Sequence, residues 1–201
     1  MKLYFNPQSR ATRVRWMLEE LGAPHEIVPV DFNKGEHKKP EYMKIHPMGS
    51  LPAVEDSGKP LFESAAIIMH MADKHPEKKL APAPAAHERG EYYQWILFAM
   101  TEAEQPVVQV LQHTRFLPEA ERSAALLEKA KERFKAVATA VEERMKGREY
   151  IVGNTFTAAD VVMGSVLNFA ARFNLLEGFP TLQAYVKRLM ERPAAKKAFA
   201  A

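Results

Sequence analysis

The chain reads as a small α/β domain followed by an all-helical one. Three observations predict this architecture. Strand and helix periods alternate up to residue 76, a proline- and alanine-rich stretch "PEKKLAPAPAAH" interrupts them, and beyond it apolar positions recur only at helical spacing. The 201 residues, 47% hydrophobic and 26% charged, suffice for two packed domains. Their bounds fall at residues 1–76 and 87–201, with 77–86 as the linker.

Taken in order, "KLYF" is a strand pattern, and the polar turn Asn6-Pro7-Gln8-Ser9-Arg10 follows it. Val14, Met17, Leu18 and Leu21 then form a helical stripe, with Arg13, Arg15, Glu19 and Glu20 off it and Gly22 as the stop. "HEIVPVD" is the second strand, which closes a βαβ unit. The polar run "KGEHKKPEYMKIHPMGS" holds one short helix around Glu41 to Ile45. "PAVED" and "PLFE" flank the turn Asp56-Ser57-Gly58-Lys59 as a hairpin, and a helix opens at Ser64 and stops before Pro76.

Past the linker, "HERGEYYQWILFAMTEAEQPVVQVLQHTR" carries an apolar and aromatic stripe that Pro106 is expected to kink. "PEAERSAALLEKAKERFKAVATAVEERMKG" reads as one long amphipathic helix ending at Gly147. "TAADVVMGSVLNFAARF" is apolar on every face and must be buried, and "TLQAYVKRLMERP" and "AAKKAFA" complete the bundle.

Composition excludes several function classes. Lys and Arg number 28 against 25 Asp and Glu, a net charge of +3 too balanced to mark a nucleic-acid binder. No apolar run reaches the roughly 18 residues of a membrane span, and the first residues run directly into a strand pattern, so a cytoplasmic protein is expected. The chain has no cysteine, so it offers no disulfide, no thiolate metal site and no cysteine nucleophile. Its 7 histidines form no pair at metal-ligand spacing, and no metal is expected. Any thiol chemistry must use a thiol brought by a ligand.

Four short segments carry candidate chemistry. Ser9 stands where a strand turns into a helix; it either caps that helix or meets an anion at its N-terminus. Leu51-Pro52 leads into a strand, either as a trans proline at the strand start or as a cis turn presenting the main chain of Leu51. Glu63 and Ser64 sit at a second strand-to-helix junction, as a solvated carboxylate with a capping serine or as a clamp for both ends of an amino-acid zwitterion. "GEHKK" is solvated surface, or its His37 and Lys38 supply donors to a carboxylate.

The series "PQSRATR", "GEHKK", "HPMGSLPAVED" and "LFESAAI" closely resembles the glutathione transferase superfamily, above all its plant-type phi class in a bacterial-type cytosolic form. The resemblance covers the whole chain, through helical organisation and "IVGNTFTAADV" in the second half. It implies a thioredoxin-like N-terminal domain that binds glutathione, and an all-helical C-terminal domain carrying the pocket for a hydrophobic electrophile. It further implies a cytoplasmic homodimer, with Leu61, Ala65, Ile68 and the long helices as candidates near the two-fold axis. Glutathione would be the co-substrate, with no separate cofactor, no metal, no nucleic acid and no membrane.

Carried over residue by residue, the resemblance makes Ser9 the hydroxyl on the glutathione sulfur, flanked by Gln8 and by Arg10. His37 and Lys38 would hold the glycyl carboxylate. Leu51 would bind the cysteinyl main chain between Ser50 and a cis-Pro52, and Glu63 and Ser64 would take the γ-glutamyl end. Ser50 stands where phi enzymes often have a longer polar residue, and the beta-class cysteine of the first turn is missing. Tyr92, Tyr93, Trp95, Ile96, Phe98, Ala99 and Met100 either line the electrophile pocket or pack the core. Thr157 to Asp160 is a T-x-x-D capping box with Phe156 ahead of it, a structural motif rather than a catalytic acid. A non-catalytic glutathione-binding or interaction module on the same fold is the competing reading, because fold does not fix function.

Overall fold

The computed structural model describes residues 1–200, which divide into two compact units: Met1–Ala81 with the segment from Glu191 on, and Pro82–Met190. No described helix is long and apolar enough to cross a membrane.

In the first unit a four-stranded sheet has the order β2-β1-β3-β4, with β1 Lys2–Phe5, β2 Glu26–Pro29, β3 Ala53–Asp56 and β4 Lys59–Phe62. β1 and β2 run parallel, joined by α1 (Ala11–Leu21); β3 is antiparallel to β1 and β4 antiparallel to β3. This is the βαβ unit plus hairpin that the periods imply. α2 (Pro40–Met43) is a single turn preceded by a 3-10 turn, Glu36–Lys38, and α3 (Ser64–Lys74) closes the motif.

The domain bounds differ from the expected ones. The first unit runs on to Ala81, and the C-terminal helix α9 (Pro193–Phe199) belongs to it rather than to the helical domain. Chemistry ties α9 to α1. Phe199 meets the Trp16 ring edge-on at 5.9 Å, Arg192 grips both oxygens of Glu20 at 2.6 and 2.8 Å, and Lys197 reaches Glu19 at 2.7 Å. Covered by the sheet on one side and α9 on another, α1 is buried at eight positions rather than along one stripe. Arg13, expected off the apolar face, is only 4% exposed. Its place four residues before Met17 puts it on the edge of that face.

The second unit contains α4 (His87–Phe98), α5 (Glu104–Leu111), α6 (Ala124–Met145), α7 (Ala158–Ala171) and α8 (Pro180–Met190). The expected break around Pro106 takes the form of a π-turn, Ala99–Ala103, between α4 and α5. Proline cannot donate to the carbonyl four residues back and its ring collides with it, and a widened turn relieves both. α6 starts later than its sequence pattern suggests, because Ser123 caps it by accepting from the Leu126 N–H at 3.3 Å. Tyr92, Ile96 and Ala99 are fully buried, so these three pack the core.

Candidate functional site

The register of the sheet lines up the segments that carry chemistry. Tyr4 lies opposite Ala53, and Ala53 opposite Phe62. The turn after β1, the turn before β3 and the junction after β4 therefore emerge side by side at one end of the sheet. The end of β2 joins them, since Asn6 Nδ2 donates to the Val30 carbonyl at 2.9 Å.

Asn6 organises the first turn. Its side-chain oxygen accepts from the Gln8 N–H at 2.9 Å, and its carbonyl accepts from the Ser9 N–H at 3.1 Å and the Ser9 hydroxyl at 2.7 Å. Ser9 Oγ also accepts from the Ala11 N–H at 3.1 Å, so the serine does satisfy a donor of the first helical turn. The formal N-cap is Arg10, half-buried and making no side-chain cap bond, while Gln8 sits exposed at the tip.

The Leu51-Pro52 bond is cis. The stretch before it is held at nearly every peptide. Met48 donates its N–H to His46 Nδ1 at 3.2 Å, and Gly49 donates to the His46 carbonyl at 2.8 Å. Lys38 Nζ donates to the Met48 carbonyl at 2.9 Å, and the Tyr42 hydroxyl to the Ser50 carbonyl at 2.7 Å. Burial pushes the Tyr42 hydroxyl well above its ordinary pKa, so it stays a donor. Gly49 has a φ of +56°, and a Cβ there would stand 2.4 Å from the His37 carbonyl oxygen, so the two turns touch and only glycine fits. Leu51 packs with Val30, Tyr42 and Ala53, which anchors the side chain while Ser50 is exposed.

Glu63 is exposed and adopts a φ of +68° at the N-cap of α3, where no side chain caps the helix. Ser64 does not cap it either. The residue is only 3% exposed, and its hydroxyl accepts from Arg13 Nη1 at 3.4 Å. The first N–H groups of α3 thus keep their hydrogen-bonding capacity, with a buried guanidinium behind them and a carboxylate beside them. His37 sits edge-on to Phe32 at 4.8 Å, its Nδ1 buried without a partner among the described residues.

Comparison with known proteins decides what this arrangement belongs to. Residues 1–73 match the "Glutathione S-transferase, N-terminal domain" model, and residues 42–193 the "Glutathione S-transferase, C-terminal domain" model. The chain belongs to the glutathione S-transferase family. The family fold, thioredoxin-like with a helical second domain, is the one described above. Probable glutathione S-transferase GSTF2 of Oryza sativa subsp. japonica is 31% identical, over 98% of this chain and 94% of that protein. Glutathione S-transferase 3 of Zea mays is also 31% identical, over 100% of this chain and 94% of its own. Among solved structures, the glutathione transferase URE2P6 of Phanerochaete chrysosporium, in complex with oxidized glutathione, aligns with a TM-score of 0.91 and 30% identity. That alignment covers 99% of this chain and 94% of that one. This chain is accordingly an enzyme, a glutathione S-transferase.

The sheet end brings together Ser9, Leu51, Pro52, Glu63 and Ser64 from three separate stretches. Gly49 joins His37 and Lys38 to the same group. Sequence reasoning overlooked Asn6, Arg13 and His46. Only Arg13 left a usable trace, its helical spacing to the buried stripe.

Proposed function

We propose that this transferase lays glutathione across the end of its sheet. The γ-glutamyl end meets Glu63 and Ser64, the cysteinyl main chain meets Leu51 beside Ser50 and cis-Pro52, and the glycyl carboxylate points toward His37 and Lys38. The observation that carries this reading is the row Tyr4, Ala53, Phe62. Two strand spacings of about 4.8 Å span roughly 10 Å, close to the reach of an extended tripeptide at about 3.4 Å per residue.

Each end of the ligand finds complementary chemistry. The Glu63 carboxylate faces the ligand's ammonium. Ser64 accepts from Arg13 and so keeps its own proton to donate to the neighbouring carboxylate, alongside the uncapped N–H groups of α3. Lys38 has three protons, enough to hold the Met48 carbonyl and a carboxylate together.

The sulfur then falls beside the Ser9 turn, between Gln8 and Arg10. Ser9 donates to the Asn6 carbonyl in the free protein, so it must swing its O–H to reach a thiolate. The exchange trades a neutral hydrogen bond for a charge-assisted one, a net gain of about 1 kcal/mol. That lowers a thiol pKa from about 8.5 to about 7.7 and raises the thiolate share at pH 7 from about 3% to roughly one sixth. With its proton released to water, the thiolate attacks the electrophilic carbon of a hydrophobic substrate. For an aryl halide the C–S bond forms as the carbon–halogen bond breaks, and halide leaves with the electron pair to give a thioether. A cytoplasmic homodimer belongs to the same proposal. Ile68 is fully buried and offers no surface to a partner, which leaves Leu61, Ala65 and the long helices as the candidate dimer contacts.

Calorimetric titration with glutathione, followed by an aryl-halide conjugation assay, tests the reading. One glutathione bound per chain, with conjugation, is expected; absence of binding contradicts it. Sedimentation as a 22.7 kDa monomer at micromolar concentration would contradict the dimer.

A further inference from the structure

His46 is a buried histidine without a role in the chemistry above, yet it holds the turn on which the ligand is proposed to lie. It is 4% exposed, and its ring lies 4.9 Å from that of Phe62, the residue before Glu63. Its Nδ1 accepts from the Met48 N–H at 3.2 Å, and its own carbonyl accepts from the Gly49 N–H at 2.8 Å. A backbone N–H can only donate, so Nδ1 must carry a lone pair and the ring proton sits on Nε2. The same turn supports both neighbouring parts of the site. Gly49 packs on the His37 carbonyl, and the Met48 carbonyl anchors Lys38.

We propose that neutral His46 is the positioning residue that sets the Gly49–Leu51 turn for glutathione, and that protonation of its ring unlatches that turn. A proton on Nδ1 turns the acceptor into a second donor aimed at the Met48 N–H. The turn must then shift, and with it the Leu51 main chain and the Lys38 ammonium. This inference rests on glutathione occupying the turn as proposed above.

The charged groups around the ring set the direction of the effect. Burial is the largest influence and pushes His46 below the ordinary imidazole range; Lys38, from the 3-10 turn, acts the same way, while Glu63, ahead of α3, opposes them. The ring is therefore neutral at pH 7. A histidine depressed in this way supports the turn fully above about pH 6.5 and loses its contribution as pH falls further. A ligand ammonium at Glu63 would weaken the larger of the two influences that favour the protonated ring, the other being a backbone hydrogen bond.

The test uses S-methylglutathione, which has no thiol to titrate, and calorimetry on the full chain between about pH 7 and pH 5. Wild-type affinity is expected to fall about fivefold over that range. His46→Asn offers an oxygen that accepts the same i+2 N–H in an Asx turn and does not titrate. It should bind like wild type at pH 7 and change less than twofold on acidification. His46→Leu should bind about tenfold more weakly already at pH 7, with kcat at saturating glutathione little altered. His37 is present in all three proteins, so whatever it contributes is common to them. The proposal is overturned if His46→Asn follows the wild-type acid curve, or if His46→Leu binds as wild type does at pH 7. Failure of wild type to bind at pH 7 removes the glutathione reading itself, and this inference with it.

Discussion

Two helix starts in this protein carry similar sequence signals and end in opposite states. α7 opens with Thr157 and Asp160, α3 with Glu63 and Ser64, and each is a hydroxyl and a carboxylate ahead of an apolar run. At α7 the hydroxyl and the carboxylate are both satisfied internally. Fully buried Asp160 accepts from the Ile151 N–H at 2.9 Å, the Thr157 N–H at 2.8 Å, the Thr157 hydroxyl at 3.2 Å and the Tyr185 hydroxyl at 2.7 Å. At α3 the carboxylate is exposed on a left-handed residue, the helix has no side-chain cap, and the serine is taken by an arginine from another helix. The first start is a closed network that holds the fold. The second leaves donors and a charge for a ligand. Residue type does not separate the two roles; the partners of the donors do.

The largest expected effect falls on the closed start. Asp160→Ala orphans four donors, and with the cost of each at about 1–3 kcal/mol and not additive, roughly 4 kcal/mol of stability should be lost. Denaturant unfolding checks this, and a midpoint close to wild type would show that the network is dispensable. Glu63→Ala breaks the comparison from the other side. Its stability should change by less than about 0.5 kcal/mol, because the side chain is exposed, while glutathione binding should weaken by about 2 kcal/mol, or roughly thirtyfold. Equal affinities in the two proteins would take Glu63 out of the site.

Ser9 stands between these extremes, since it caps its helix and is also proposed to face the sulfur. Ser9→Ala should cost about 1 kcal/mol of stability through the lost Ala11 bond. It should leave glutathione affinity nearly intact and raise the bound thiol's pKa by somewhat under one unit, which ultraviolet thiolate absorbance against pH would read. Coincident curves would make Ser9 a cap and nothing more. The smallest effect belongs to the surface. Lys74 pairs with Asp56 and holds its carboxyl below the usual range, so the pair stabilises above about pH 3.9 and the gain is lost as pH falls through the acid range. Lys74→Ala should cost under about 1 kcal/mol at pH 7, and the difference from wild type should shrink toward about pH 3.

The fold was legible because its evidence is local. Periods of two and of 3.6, the proline-rich interruption and the T-x-x-D box are all written in neighbouring residues. Three of the four candidate segments stand out in the sequence through their place at strand ends, where turns and helix starts gather polar groups. What escaped depends on distant partners. Nothing near Glu19 and Glu20 shows that Lys197 and Arg192 return to them, so the sequence pattern alone does not tie α9 to the first unit. Nothing beside His46 shows that its ring is buried against Phe62. The row Tyr4, Ala53, Phe62 exists only once the strands have paired.

Backbone amide NMR during a glutathione titration tests the contrast between the two helix starts most directly. The N–H signals of Ser64, Ala65, Ala66 and Leu51 are expected to shift with a saturating dependence on glutathione, while those of Ala158, Ala159 and Asp160 stay in place. Shifts that spare the first turn of α3, or that appear equally at α7, would contradict the assignment of the open helix start as the ligand's anchor.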